Sequence, residues 1–539
     1  MIRIASTAFL ASFLWTVAGA QTPPREKPAL IVFIAVDQLR ADYLERFRSQ
    51  WTGGFARMLR SGAVFTQGMQ DHAITETAPG HSTMLSGRDP AHTGIVTNDL
   101  GVGDSTAPVL GAPGAPGASP RRFVGTELYD WLLAVDHGTR VFSVSRKDRG
   151  AILPVGRAKA PIFWWAGGRF TTSSYYADSL PGWVGAYDRM DGLSRLAGTT
   201  WTLLLPASAY PEADSMKYEH GGKDFVFPHQ FASTVDSVRA QLAHFPWMDS
   251  LTLDFALEGA RQLKLGQRHG GRTGPDLLAV SLSTTDDIGH TYGPDSRELH
   301  DHLLRLDRWL GWFLDSLGTA VPRSRLLVVL TADHGVTSFP EFEIAHGRPG
   351  GRVSLQGLVH SAESSLDVRA GHRGGGSSVF SLDFDTGLLL ADTVAVRKAG
   401  ISVDSLAKAL AAEAARVPGV AGTWTPSTLA RTASTDVNAA RWRRSLPSAT
   451  SWLFCASLLP GYQWGGGAGS TSHGSTNQDD VLVPIVFLGA GVRPGVLTRA
   501  VRTTDIAPTI ARLIGVRPLE ALDGVVLPEV LAGRPGARR

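Results

Sequence analysis

Residues 29–37 read ALIVFIAVD, an unbroken apolar run that ends on Asp37. The run is too short to cross a bilayer and has no polar alternation. It fits a strand buried on both faces, as in a parallel sheet. A carboxylate directly after such a strand lies at its carboxyl end, where open α/β sheets gather their ligands. Four further stretches repeat the pattern: RVFSVS (140–145), DLLAVSLS (276–283), RLLVVLT (325–331) and VLVPIVFLGA (481–490). After the first run, Leu39, Tyr43, Phe47, Phe55 and Leu59 predict a helical stretch over about 38–60. ELHDHLLRLDRWLGWFLDSL (298–317) reads as an amphipathic helix between two strands, and TTDIAPTIARLIG (503–515) as a capped one. Strands alternating with helices predict an α/β fold with a doubly wound, mostly parallel central sheet flanked by helices.

The chain has 539 residues, 43% of them hydrophobic, which is ample material for a core. The net charge of +3 is spread without a Lys/Arg block, so nothing points to nucleic acid or an acidic membrane surface as partner. Residues 1–20 combine Arg3, an apolar stretch and Ala18-Gly19-Ala20. They read as a secretory signal cleaved near Ala20, which predicts a periplasmic or secreted protein. No later segment is apolar enough for a transmembrane anchor once the signal is removed. Cys455, the only cysteine, excludes an intramolecular disulfide and reads as a packed small apolar side chain. The Gly/Pro/Ala stretch 101–120 is expected to be an exposed loop. Residues from about 150 to 245, rich in Trp, Tyr and Gly, read as an inserted cap. A second insertion runs from about 340 to 470 and includes HRGGGSS and WGGGAGS. Since strands come from both ends of the chain, residues 21–539 are expected to form one catalytic domain carrying both insertions.

Five short segments carry side chains of metal-ligand type. They are Asp37 itself, Thr77 in TETAPGH (75–81), Asp286 and His290 in STTDDIGH (283–290), Asp333 and His334 in VVLTADHG (328–335), and His473 in STSHG (470–474). Any one alone is an ordinary cap or surface residue. Together, most of them at strand ends, three carboxylates, three imidazoles and a hydroxyl suit two adjacent divalent cations, with oxygen and nitrogen donors matched to zinc. Pro79 places Thr77 at the start of a helix, where unpaired amides favour an anionic group. A hydroxyl bound to a cation there can act as a nucleophile.

This pattern resembles the alkaline phosphatase superfamily, in particular the branch of PafA-type alkaline phosphatases close to the type I phosphodiesterases and nucleotide pyrophosphatases. The resemblance runs from Asp37 to the helix of 503–515. It implies a two-zinc site in which Asp37, Thr77, Asp333 and His334 hold one Zn2+ and Asp286, His290 and His473 the other, with Asp287 a neighbour. It implies Thr77 as nucleophile and Asn98, in GIVTNDL, as a donor to a phosphoryl oxygen. SVSRKDRGA (143–151) supplies Lys147 and Arg149, two apart, like the Lys-x-Arg pair of PafA-type enzymes that the diesterase branch lacks. Arg146 is expected to point elsewhere. The resemblance therefore implies a phosphomonoesterase acting on small phosphate monoesters through a phosphothreonine, with a phosphodiesterase on the same metals as the alternative. Sulfatases need a Cys or Ser in a C/S-x-P-x-R context, which TAPGH does not provide.

Overall fold

The structure is a computed structural model and describes residues 27–190, 192–267, 274–369, 380, 382–465 and 469–532. The secretory signal read in residues 1–20 lies outside them. Among the described residues no helix is long and apolar enough to cross a membrane.

A ten-stranded mixed sheet forms the centre of the molecule. Its strands are β1 (Leu30–Val36), β2 (Ala63–Met69), β3 (Val141–Ser145), β4 (Ile162–Ala166), β5 (Arg169–Thr171), β6 (Asp276–Leu282), β7 (Leu326–Thr331), β8 (Leu482–Gly489), β9 (Gly495–Leu497) and β10 (Val501–Arg502). They lie in the order β9-β2-β8-β7-β1-β6-β3-β4-β5, with β10 alongside β2. From β7 to β4 all neighbours are parallel, and β8 runs antiparallel to both β2 and β7. Every residue of β1 is buried, as a run with two covered faces requires. Leu30, Val32, Ile34 and Val36 join the core beneath the helices Gly54–Ser61, Trp247–Gln262 and Arg297–Ala320. Ile31, Phe33 and Ala35 face the opposite core, beneath Thr77–Met84, Leu128–Val135 and Ile506–Ile514. The doubly wound, mostly parallel architecture is as expected.

Several local expectations need correction. The stretch 38–60 is not one helix: it breaks into short turns, and the helix proper begins at Gly54. The break has a physical cause, because the buried carboxylate of Asp307 accepts hydrogen bonds from the amides of Thr52, Gly53 and Phe55 at 2.6–2.7 Å and holds Gly53 out of helical geometry. The stretch 101–120 is not simply exposed, since Val102, Val109, Ala112 and Ala118 are buried against the sheet. The start of the region read as a cap, 150–245, supplies β4 and β5, and Trp164 is a buried sheet residue. The remainder of that region lies on the helix Arg297–Ala320. Buried Asp301 on that helix accepts hydrogen bonds from Trp201 Nε1 (2.7 Å), Tyr210 Oη (2.7 Å) and the Leu204 amide (2.5 Å). Within 340–470, strands Leu382–Asp385, Leu388–Ala391, Val420–Trp424 and Trp452–Leu458 form a second sheet with its own core.

Asp301 ties residues 201–210 to the helix Arg297–Ala320, and removing its carboxylate leaves several buried donors unpaired. Asp301→Ala is expected to cost roughly 3 kcal/mol and to loosen the cap first. A lower thermal midpoint with faster limited proteolysis in residues 197–232 is the expected result.

Candidate metal centre

The site lies at the carboxyl ends of four neighbouring parallel strands. β7, β1, β6 and β3 are followed respectively by Asp333-His334, Asp37, Asp286 and Lys147. Register aligns these ends: Ala35 pairs with Thr331, Val36 with Leu282, and Ser145 with Ser281. Thr77 and His473 arrive from segments flanking β2 and β8.

Two groups of ligand-type atoms result, each with its atoms within 4.8 Å of one another: Asp37, Asp333 and His334 in one, and Asp286, His290 and His473 in the other. In the first, His334 Nε2 lies 3.3 Å from Asp37 Oδ1 and 3.7 Å from Asp333 Oδ2. All three of these atoms are buried and lack a hydrogen-bond partner. In the second, Asp286 Oδ1 lies 3.2 Å from His290 Nε2 and 3.4 Å from His473 Nε2.

The imidazoles are oriented in one way. Nδ1 of His290, His473 and His334 lies 2.7, 2.7 and 2.9 Å from the carbonyls of Thr471, Thr75 and Gly335. A carbonyl only accepts, so Nδ1 carries the proton and Nε2 is turned toward the carboxylates. Metal-ligating histidines are oriented in this way. The donor set and the orphaned buried atoms therefore fit a pair of divalent cations.

Thr77 opens the helix Thr77–Met84 and is almost fully buried. Gly80 brings that helix close to Asp333, since a Cβ there would lie 2.2 Å from the Asp333 carbonyl oxygen. His81 supports the same junction, its Nδ1 lying 2.9 Å from the Thr77 carbonyl and 3.2 Å from Asp333 Oδ2. Asn98 brackets the threonine: its backbone N–H donates to Glu76 Oε2 (2.7 Å), and its Oδ1 accepts from the Ala78 amide (2.9 Å).

Lys147 sits at the centre. Its Nζ donates to Asp37 Oδ2 (2.5 Å), Asp286 Oδ2 (2.6 Å) and Thr77 Oγ1 (3.3 Å), linking one carboxylate of each group to the hydroxyl. Arg149 lies in the first turn of the short helix Asp148–Ile152 beside the Thr77 helix, and its Nε is buried without a hydrogen-bond partner. It does not touch either ligand group. Arg146 pairs with Asp287 instead, which separates that carboxylate from its neighbour Asp286.

Electrostatics follow from crowding. Burial, then Asp286 and Asp333, push Asp37 up to about 6. Burial would raise Asp286 too, but His290 and Lys147 hold it well below the usual range. Burial would lower His290, yet the Asp286 carboxylate raises it to about 9. Burial and His473 keep His334 well below an ordinary histidine. Burial opposes the charge on Lys147, and the carboxylates of Asp286 and Asp37 outweigh it.

Two residues escaped the sequence reading. Gln38, with φ 65°, donates its amide to Asp333 Oδ1 (3.1 Å) and its Nε2 to Asp286 Oδ1 (2.8 Å), so it spans both groups. Gly289 leaves room for it in this position, since a Cβ there would lie 1.7 Å from Gln38 Oε1. Asp249 accepts from the amide (3.2 Å) and hydroxyl (2.9 Å) of Thr284, fixing the start of the helix that carries Asp286 and His290. The position of Gln38 directly after Asp37 was the only available signal; Asp249 offered none.

A family model described as type I phosphodiesterase/nucleotide pyrophosphatase matches residues 31–348. The chain is 32% identical to alkaline phosphatase PhoV of Synechococcus elongatus, over 94% of this chain and 93% of that protein. It is 30% identical to alkaline phosphatase PafA of Elizabethkingia meningoseptica, over 95% and 96%. The crystal structure of wild-type PafA matches with a TM-score of 0.84 at 28% identity, covering 94% of this chain and 99% of that one. A second PafA crystal structure, of a variant with a threonine, an asparagine, a lysine and an arginine replaced, matches with the same TM-score of 0.84.

Cation binding must displace the proton that His290 holds up to about pH 9 and, at lower pH, the one on Asp37 near pH 6. Zinc added to metal-free protein at pH 7.5 is therefore expected to release about one proton per protein from the His290 group, and affinity should fall as pH drops below about 9 and more steeply below about 6. Calorimetry in buffers of different ionisation heat measures this. Binding heats independent of the buffer would contradict it.

Proposed function

The chain belongs to the type I phosphodiesterase/nucleotide pyrophosphatase family and is a hydrolase of phosphate esters, and we propose that it is an exported alkaline phosphatase with a two-zinc site and a phosphothreonine intermediate. Its alkaline phosphatase relatives support phosphomonoesterase activity. The observation that carries the finer reading is the convergence of three oriented imidazoles and three carboxylates beside the Thr77 hydroxyl. The export reading rests on the leader of residues 1–20.

Asp37, Asp333, His334 and Thr77 would hold one cation, and Asp286, His290 and His473 the other. Bound there, two zinc ions would supply Lewis-acid stabilisation of the oxygens that gain charge and would make the Thr77 hydroxyl more acidic. The chain's own residues account for the rest. Thr77 Oγ1, at the amino end of its helix and 3.3 Å from the Lys147 ammonium, gives up its proton to solvent and acts as an alkoxide. It attacks phosphorus, the P–O bond to the leaving alcohol breaks, and the alcohol oxygen takes a proton from solvent. Water then attacks the phosphothreonine, the bond to Oγ1 breaks, and the hydroxyl recovers its proton. Asn98 has its Oδ1 tied to the Thr77 helix, so its Nδ2 is the end left to donate to a phosphoryl oxygen. Lys147 and Arg149 add positive charge opposite a dianionic monoester, where a diester carries less charge and a second organic group. The PafA variant replaces the same four residue types as Thr77, Asn98, Lys147 and Arg149, which supports this assignment.

Turnover of nitrophenyl phosphate is expected to exceed that of its bis-ester. Lys147→Ala and Arg149→Ala should each lower monoester kcat/KM by about 100-fold with a smaller loss on the diester. Thr77→Ala should remove at least about 1,000-fold on both. Preference for the bis-ester, or equal losses on both substrates in the Lys147 and Arg149 variants, would favour a phosphodiesterase.

A further inference from the structure

The second insertion packs Leu388 and Cys455 on Ile74 and Val96, beside the segments of Thr77 and Asn98, and sends one hydroxyl between them. Its strands Leu382–Asp385 and Leu388–Ala391 are joined by a two-residue turn, Thr386-Gly387, with φ 38° and 92°. Tight hairpin turns with both φ values positive favour Asn, Asp and Gly. A β-branched threonine in that conformation is an outlier, and such strain gathers where a side chain serves the site. The turn cannot slide on its own sheet. The Ala456 amide donates to the Gly387 carbonyl at 2.7 Å, and a Cβ on Gly387 would lie 2.5 Å from the Ala456 carbonyl oxygen.

From this fixed base, Thr386 Oγ1 donates to Glu76 Oε1 at 2.8 Å. The other oxygen of buried Glu76 accepts the Asn98 amide at 2.7 Å, and Asn98 Oδ1 accepts the Ala78 amide at 2.9 Å. Glu76 and Ala78 flank Thr77. The loop of His473 closes on the same point, since a Cβ on Gly474 would lie 2.7 Å from Thr386 Cγ2. Thr75 ties that loop back to the nucleophile segment, its hydroxyl donating to the Ser475 carbonyl at 2.8 Å.

We propose that Thr386 and Glu76 are positioning residues that, by fixing the Asn98 backbone, hold the Asn98 side chain at the phosphoryl group, so that the second insertion is a working wall of the active site. The inference rests on the assignment of Asn98 above. Without the Thr386 hydroxyl, one oxygen of a buried carboxylate loses its donor. Glu76 then turns toward other donors and takes the Asn98 backbone with it. The metal ligands stay in place, so the effect falls on phosphate affinity and not on metal content.

The test measures inhibition by inorganic phosphate, zinc content and thermal midpoint in the zinc-loaded full chain. Thr386→Val is expected to raise the phosphate inhibition constant about tenfold with zinc content unchanged, and Thr386→Ser should restore it. Thr386→Gly, which relieves the strained φ, should keep or raise the midpoint and show the same loss of affinity. In an Asn98→Ala background, Thr386→Val should have no further effect, because the two act through one contact. Loss of affinity with Asn98→Ala but none with Thr386→Val or Thr386→Gly overturns the inference and leaves the Asn98 assignment standing. Equal Thr386→Val effects in both backgrounds also overturn it. No effect of Asn98→Ala itself overturns the assignment on which it rests.

Discussion

Three carboxylates meet in one buried pocket because parallel register leaves no other place for them. Asp37, Asp286 and Asp333 follow three adjacent strands whose ends are aligned to within a residue. Like charges so close in a low-dielectric setting cannot all stay ionised unless positive charge joins them. Burial first, and the neighbouring carboxylates after it, raise Asp37. The relief is Lys147, which comes from the next strand along and bonds a carboxylate of each group. The backbone carbonyls that aim Nε2 of three histidines at the same pocket complete a donor set for cations.

The rest of the molecule serves this cluster. The sheet sets where the carboxylates end, and the helix of Thr77 is brought against Asp333 by Gly80. Buried polar groups then remove the remaining freedom: Gln38 spans the two groups of ligand-type atoms, Asp249 caps the helix of Asp286, and His81 lies between Asp333 and the Thr77 carbonyl. Such networks are stiff because each member is costly to leave unpaired. Catalysis by positioning needs that stiffness, since small displacements of reacting groups lose large factors in rate. Residues 201–210 join this frame at Asp301, among other contacts, and the second sheet joins it at Glu76 and by packing Leu388 and Cys455 on Ala73, Ile74 and Val96.

Much of this was legible in the chain. Strands buried on both faces announce themselves as continuous apolar runs, and the residues that follow them are the ligand-type side chains. β2 was not legible, because Thr66 and Gln67 face solvent in AVFTQGM and break the run. The helix expected over 38–60 failed for a reason outside its own sequence: the carboxylate that interrupts it comes from a helix about 250 residues away. Gln38 and Asp249 were hidden for the same reason, since a glutamine or an aspartate shows its role only once the fold brings its partner near. The grouping of ligands into two sets came from family resemblance, and strand order now gives it a geometric basis.

The account stands on two cations held by side chains from five separate segments. Anomalous diffraction at the zinc edge, from crystals of the purified chain, tests this most directly. Two peaks are predicted, one ringed by Asp37, Thr77, Asp333 and His334 and the other by Asp286, His290 and His473. A single peak, no peak, or a metal held by other residues would contradict it.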